Sequence, residues 1–408
     1  MTMLTRRALL VGGAATVPTV LLSPRALAAP PVTGQVPAQL AGLDTRLKNF
    51  IAARSVSSAQ FAVGRHGKLL LARGYGTYNA GAAKVQPTTL FRLASLSKHI
   101  TGAAIMRLVQ DRKLSLGAKV APLLGLSTSA EPRLADITVL RLMHQLSGWD
   151  KAASGKDYLF SDHAISAALD VPLPITHAHI LKYATSRPLD FAPGSRMSYN
   201  NLNFTLLGRV IEKVSGLPYA TYVQRHILGP AGVTRPRISP SVPPSTGVRY
   251  ESKFTTKTVL DDSGTVVPHP YGGANYPNLD STGGWMASAV DLVRLSRVFD
   301  GSTSVLTKTT LARLWAEPEI GRNEHGSWYS GGWWVRRAGS GFNTWHNGSL
   351  PGTYTILTRT NFGVCFAATF NRREETGSPD FDALQDELYD AVAAIRTWPT
   401  TDLTSRYF

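Results

Sequence analysis

The sequence predicts an α+β fold, with antiparallel strand segments near both ends of the chain and a mainly helical stretch between them. Three observations predict it. Phe61-Ala62-Val63-Gly64 and Lys68-Leu69-Leu70-Leu71-Ala72 flank Arg65-His66-Gly67, which reads as a hairpin turning at Gly67. Four strand-like runs, Gly332 to Arg337, Asn343 to Asn347, Tyr354 to Arg359 and Val364 to Phe370, crowd the far end. Between them, from about Gly117 to Ser281, helical periodicity alternates with loops.

Each element follows from its residues. The first 28 residues are set aside: Thr5-Arg6-Arg7-Ala8-Leu9-Leu10 resembles a twin-arginine export signal, an apolar run from Ala8 to Leu22 follows, and Ala26-Leu27-Ala28 offers a small-residue cleavage site. Gly12, Gly13 and Pro18 interrupt the apolar run, so the expectation is a cleaved signal, export to the periplasm or beyond, and no stable membrane span after processing. Residues 29–38 read as a proline-bearing linker. Leu40, Leu43, Leu47, Phe50 and Ile51 then recur at helical spacing, and Ile100, Ala103, Ala104 and Leu108 mark a second helix after the hairpin. The longest irregular piece, Pro236 to Pro277, reads as a surface loop of the helical middle. Ala289 to Val298 and Leu306 to Trp315 read as helices, and Phe381, Leu384, Leu388, Val392 and Ile395 form the apolar face of a closing one. The expected organisation is one domain over 39–395, with its helical insertion at about 117–281, and a tail over 396–408.

Composition excludes several classes. With 408 residues and 43% hydrophobic content the chain buries a sizeable core, which argues against disorder. The net charge of +16 falls to +13 without the three arginines and no acids of the first 28 residues. The cations are dispersed, in pairs such as Arg336-Arg337 and Arg372-Arg373, where a nucleic-acid binder concentrates them on one element, so no nucleic-acid partner is expected. The single Cys365 forbids an intramolecular disulfide and reads as a small buried hydrophobe. With one cysteine and no H-E-x-x-H, no metal is expected. No G-x-S-x-G occurs, against an ordinary α/β-hydrolase.

The chemistry begins at Ser95-Leu96-Ser97-Lys98, which sets a hydroxyl and an amine three positions apart at the start of a helix. Alone, S-x-x-K is a spacing that chance supplies. Its company is informative. Tyr199-Asn200-Asn201 lies between Phe191-Ala192-Pro193-Gly194 and the helical run Leu206, Leu207, Val210, Ile211, Val214, which Gly216 stops. His346-Asn347-Gly348 comes near the end. Tyr276-Pro277-Asn278 also fits Y-x-N, but its central proline and the absence of a helix after it favour Tyr199.

These triplets, in this order, resemble the penicillin-recognising serine hydrolases: class C β-lactamases, D-alanyl-D-alanine carboxypeptidases and β-lactamase-like (family VIII-type) esterases. Phe91 to Lys98, Ile137 to Gly148, Phe191 to Gly208, Ser281 to Leu295 and His346 to Gly352 carry the likeness over roughly residues 40 to 395. The resemblance implies one antiparallel sheet assembled from N- and C-terminal parts, covered by helices and carrying a helical domain, with the site in the groove between them. It implies a cofactor-free hydrolase cleaving an ester, a D-Ala-D-Ala-type peptide or a β-lactam through an acyl-serine. Ser95 is then the nucleophile, Lys98 and Tyr199 share the proton work, and the amides of Ser95 and Ser349 form the oxyanion hole. Asn201, His346, Asn347 and Gly348 are the expected substrate-binding residues, and the expected partner is a small-molecule or peptidoglycan-derived substrate. Which of Lys98 and Tyr199 is the base stays open, as does the oligomeric state.

One departure bears on substrate. His346 and Asn347 stand where many β-lactamases carry Lys-Thr-Gly, and an imidazole of ordinary pKa is mostly uncharged at neutral pH. This triplet then supplies no fixed charge for a carboxylate; the resemblance, in which some carboxypeptidases and many esterases carry H-x-G, keeps the fold and the acylation but disfavours efficient β-lactam turnover, and Arg372 or Arg373, beyond the last strand, could replace the missing charge. His144 reads as structural and His325 as a surface residue. The alternative function is a penicillin-binding sensor of the same fold that acylates without turnover.

Overall fold

The computed structural model describes residues 30–78, 81–375 and 380–408. Residues 1–28, expected to be an export signal, lie outside them.

The expected first helix forms as α1, Ala41–Ala53. The hairpin forms as β2, Ser58–Arg65, and β3, Lys68–Tyr78. Its turn residues His66 and Gly67 have φ of 48° and 79°, a left-handed pair whose twist matches that of the strands it joins. The proline-bearing segment before α1 is not a plain linker. Val32–Gln35 makes a strand, β1, paired antiparallel with β3. Four residues are too few for alternation to show in the sequence, and Gly34, whose added Cβ would lie 2.1 Å from the Ala72 carbonyl oxygen, disguises the strand as a turn.

The C-terminal strands are β4, Ser327–Ser330; β5, Trp333–Ala338; β6, Gly341–Leu350; β7, Thr353–Arg359; and β8, Val364–Phe370. All join one nine-stranded antiparallel sheet in the order β1-β3-β2-β8-β7-β6-β5-β4, with Ala83–Lys84 added beside β3. The two ends of the chain meet at β2 and β8, registered from Ala59 opposite Phe370 to Arg65 opposite Val364.

Both faces of the sheet are covered, which is why its strands read as apolar runs more than as alternations. On one face α1 and the closing helix α5, Ala383–Ala393, pack Leu47, Phe50, Leu384 and Leu388 against Phe61, Val63, Ile356 and Phe366. On the other lie α2, Ser97–Gln110, and the helical middle, whose α3, Asn201–Ser215, packs on α2, while α4, Ala289–Leu295, crosses β2 and β8. The segment read as one long loop carries two short hairpin strands, Thr255–Lys257 and Val266–Pro268.

Helix α2 carries the serine motif deep into the molecule. It lies so close to the β4–β5 turn that a Cβ on Gly102 would sit 2.0 Å from the Gly331 carbonyl oxygen, so only glycine permits the approach. Among the described residues no helix is long and apolar enough to cross a membrane.

Candidate active site

Ser95 stands on a single 3-10 turn, Ala94–Leu96, that feeds α2. Ala94 is held at φ 47°, a left-handed conformation unusual for alanine, so the chain turns sharply where the serine is presented. In the run from Phe91 to Ile100 only Ser95 is not buried.

Lys98 lies one turn on, fully buried. Its Nζ donates to Ser95 Oγ at 3.2 Å, to Asn201 Oδ1 at 2.9 Å and to the Thr282 carbonyl at 2.9 Å, which uses all three ammonium donors. Burial depresses the Lys98 ammonium to about 7, against an upward pull from the Asp157 carboxylate.

Tyr199 arrives from the helical middle because Asn200 caps α3, its side chain accepting from the Leu202 amide at 2.9 Å. Gln145 fixes this entry on both sides of the tyrosine. Its carbonyl accepts from the Ser198 amide at 3.0 Å, and its side chain accepts from the Asn200 amide at 3.0 Å. The Tyr199 hydroxyl thereby reaches Ser95 Oγ at 2.8 Å. Burial raises its phenol well above the usual range, opposed by the hydrogen bond to Ser95. Asn201, the first residue of α3, accepts from Lys98 and donates from Nδ2 to Asp157 Oδ2 at 3.1 Å. Asp157 in turn meets Lys151 at 3.5 Å.

On the other side of the serine runs β6. A Cβ on Gly348 would fall 2.3 Å from the Leu93 carbonyl oxygen and 3.1 Å from the Ser95 amide nitrogen, so the strand presses directly on the serine turn. The neighbouring Ser349 reaches the mouth of a cleft of about 310 Å³, whose lining includes Ser95, Tyr199, Asn201, Thr282 and Arg373.

Two of the expected binding residues sit elsewhere. His346 does not line the cleft. It is buried beneath Tyr199, with its Nε2 3.1 Å from the Tyr329 hydroxyl and its Nδ1 against the Asn347 carbonyl. Burial and the nearby Lys98 push its imidazole down to about 3, so it is neutral. Asn347 points to the opposite face, donating to Asp382 Oδ1 at 2.7 Å. Strand alternation separates the two, and the sequence could not tell which face of β6 looks into the groove.

Arg373 supplies a cation in the cleft, with Nη1 3.3 Å from Ser349 Oγ. Arg372 turns away to the Ser55 carbonyl at 3.1 Å. Asp157, Gln145, Thr282 and Tyr329 belong to the constellation and were not singled out in the sequence, because no local spacing ties them to the serine. The competing Tyr276 is buried elsewhere, its ring 3.7 Å from the Arg92 guanidinium. His144 is buried and lowered to about 4 by desolvation. His325 is exposed, and Cys365 is buried, its thiol pushed up to about 11.

Comparison with known proteins bears on the family and the fold. Esterase EstB of Burkholderia gladioli is 32% identical over 241 residues, covering 57% of this chain and 59% of EstB, so the chain matches well under two thirds of that relative's length. Among solved structures, the octameric penicillin-binding protein homologue from Pyrococcus abyssi superposes with a TM-score of 0.67 at 22% identity, over 87% of this chain and 77% of that one. The D-amino acid amidase from Ochrobactrum anthropi SV3 gives 0.66 at 19% identity, over 88% and 99%. At these identities the superpositions speak for the fold alone. A model of the Beta-lactamase family matches residues 43–391, which hold all three triplets; the chain belongs to the Beta-lactamase family.

Proposed function

We propose that this protein is a serine hydrolase that cleaves an ester or amide through an acyl-enzyme on Ser95. The observation that carries the reading is the convergence of two proton-handling groups on one oxygen: Lys98 Nζ at 3.2 Å and Tyr199 hydroxyl at 2.8 Å from Ser95 Oγ, at the edge of an open cleft.

In this reading Lys98 is the base. A lysine depressed to about 7 is substantially neutral at physiological pH, whereas Tyr199 keeps its proton and serves as a donor. The Ser95 proton passes to Lys98 Nζ as Oγ attacks the carbonyl carbon. The amides of Ser95 and Ser349 take the developing oxyanion, which the close packing of Gly348 on the serine turn favours. Tyr199 protonates the leaving group and recovers its proton from Lys98. Water then repeats the sequence on the acyl ester and restores Ser95. Asn201 holds Lys98 and one face of the substrate, while Gly348 serves through its missing side chain. His346 and Asn347 act only indirectly, through Tyr329 and Asp382.

Arg373 directs the choice of substrate. With His346 neutral, it is the cation beside Ser349, and it suits a substrate carrying a carboxylate, as D-Ala-D-Ala peptides and β-lactams do. The likeness to an esterase supports simple esters as substrates too. Residues 1–28 are proposed to be a twin-arginine signal ahead of a hydrolase domain at 39–395; an Arg6→Lys, Arg7→Lys double variant that is still exported would overturn that assignment.

The test is Ser95→Ala against a panel of nitrocefin, a D-Ala-D-Ala peptide and p-nitrophenyl esters. Hydrolysis and covalent labelling by a fluorescent penicillin or phosphonate are both expected to vanish, and retained turnover refutes the reading. A burst of one product per chain with no steady state identifies the non-turnover sensor instead.

A further inference from the structure

Among the described residues that line the serine cleft, Asp157 is the one acid. It stands at the start of a single 3-10 turn, Tyr158–Phe160, whose Tyr158 and Leu159 are buried. The turn fixes it in place: the Asp157 carbonyl accepts from the Phe160 amide at 2.9 Å and from Ser161 Oγ at 2.8 Å, and its Oδ1 accepts from the Leu159 amide at 3.4 Å. Oδ2 is left for the cleft side, where it accepts from Asn201 Nδ2 at 3.1 Å. No step of the acyl transfer passes a proton through this carboxylate.

Asn201 therefore stands between two groups that demand opposite ends of its amide. An ammonium can only donate and an ionised carboxylate can only accept, so the amide oxygen must face Lys98 Nζ, at 2.9 Å, and the amide nitrogen must face Asp157. Without the carboxylate the nitrogen loses the partner that fixes its side, and a turned amide would set its N–H groups against those of Lys98. Charge adds a second consequence. All three acceptors of Lys98 are neutral, so the ammonium formed when Ser95 gives up its proton has no counter-ion in contact. The titratable groups around it supply none. The Tyr199 phenol keeps its proton, and burial holds the imidazoles of His99 on α2 and His346 on β6 down in the neutral form. Asp157, one amide away, is the carboxylate that acts on Lys98, and it pulls the amine upward against burial. The exposed Lys151 meets the same carboxylate at 3.5 Å, and Arg373 enters the cleft beside Ser349.

We propose that Asp157 is a positioning residue of the hydrolysis: it locks the Asn201 amide so that its oxygen holds Lys98 Nζ against Ser95 Oγ, and it is the counter-charge for the ammonium formed as Lys98 takes the serine proton. This rests on the reading of Ser95 as nucleophile and Lys98 as base. The proton still passes from Ser95 Oγ to Lys98 Nζ and on to the leaving group, and no bond forms or breaks at Asp157.

The test is the pH profile of kcat/KM for an uncharged p-nitrophenyl ester in Asp157→Asn, which keeps the cap of the turn and the side-chain volume and removes the charge; circular dichroism and melting check the fold. With the counter-charge gone the ammonium is less favoured, so the limb that rises below pH about 7 in the parent moves to lower pH. The ratio of kcat/KM at pH 6 to that at pH 8 is then expected to grow at least about twofold, while kcat at pH 8 falls about tenfold as Asn201 loosens. Asp157→Glu, which keeps the charge on a longer stem, is expected to restore the limb to its parental position, with kcat between the two. In an Asn201→Ala background, Asp157→Asn is expected to add less than about twofold to the loss in kcat, because the positioning passes through that amide. An unmoved limb in Asp157→Asn would mark the residue as merely structural and overturn the proposal, as would a limb moved to higher pH, one that Asp157→Glu fails to restore, or a loss in the Asn201→Ala background as large as in the parent. Turnover retained in Ser95→Ala overturns the acyl-serine reading and this proposal with it. Turnover lost in Ser95→Ala, with the Asp157→Asn limb unmoved, overturns this proposal alone.

Discussion

Lys98 donates only to neutral oxygens, and the Asp157 carboxylate stands behind Asn201, outside direct reach. That arrangement gives the amine a low pKa and makes it costly to the fold. If Lys98 is the base, kcat/KM for an uncharged ester rises roughly tenfold per unit below pH about 7, as the amine loses its proton, and is flat above. A profile that keeps rising toward pH 10 would shift the role to Tyr199. Stability follows the opposite group of protons. The unfolded lysine holds its proton up to 10.5 and the folded one only to about 7, so between these values the unfolded chain binds more protons and stability climbs with pH. Lys98→Met is expected to abolish hydrolysis yet raise the melting temperature, by more at pH 6 than at pH 9; an equal gain at both would contradict buried-charge strain. At this scale the sequence was readable where chemistry is local. Ser95 and Lys98 share a helical turn and Tyr199 precedes a capped helix, whereas Asp157 and Thr282 reach the cleft only through tertiary packing.

Two elements set the shape of the cleft, and both do so by close approach. Strand β6 lies against the serine turn at Gly348, where any side chain would collide with the Leu93 carbonyl and Thr355 Oγ1. Gly348→Ala is expected to push β6 outward, separating the Ser95 and Ser349 amides. The loss in kcat should be on the order of a hundredfold, the scale of one oxyanion donor, with circular dichroism and melting showing a folded protein. Activity near that of the parent would mean that the strand yields without cost. The second element is the segment from Ser239 to Gly284, which lines the cleft through His269, Leu279, Thr282 and Gly283. Arg92, fully buried just ahead of the serine turn, holds it by donating to Ser239 Oγ at 3.0 Å, to the Pro270 carbonyl at 2.8 Å and to the Pro240 carbonyl at 2.9 Å. Arg92→Met strands those acceptors and is expected to cost on the order of 3 kcal/mol in chemical denaturation, with a higher KM as the wall loosens. The run of proline, serine and threonine in this segment reads as a loose loop because its anchor lies about 150 positions upstream, where no local pattern refers to it.

Across the whole molecule the sheet is closed by partners from opposite ends of the chain. Strand β2 hydrogen-bonds β8, so the N-terminal hairpin has no complete environment until the last strands exist. Helical and strand periodicity made most of these elements legible. The pairing of the two ends was not readable from periodicity and came from the family resemblance, since strand order is decided by packing of both faces and leaves no mark on any one strand. The same holds for the residues expected to form a tail. Leu403 is buried, its amide donates to the Leu69 carbonyl at 2.7 Å, and Asp402 Oδ1 accepts from the Leu69 amide at 3.1 Å, so this segment fastens the start of β3. Trp398 lies under the Arg65 guanidinium at 4.9 Å, and the Tyr407 carbonyl accepts from Arg235 at 2.6 Å. Deleting residues 396–408 removes the packing of Trp398, Leu403, Tyr407 and Phe408, together worth roughly 5 kcal/mol, and frees both polar groups of Leu69. A drop of several degrees in melting temperature is therefore expected. Hydrolysis at 25 °C should persist, because the serine cleft lies at the other ends of these strands. A truncated chain that melts like the parent would show that these contacts carry no stability, and one that melts normally but has lost turnover would show coupling between the two ends of the sheet.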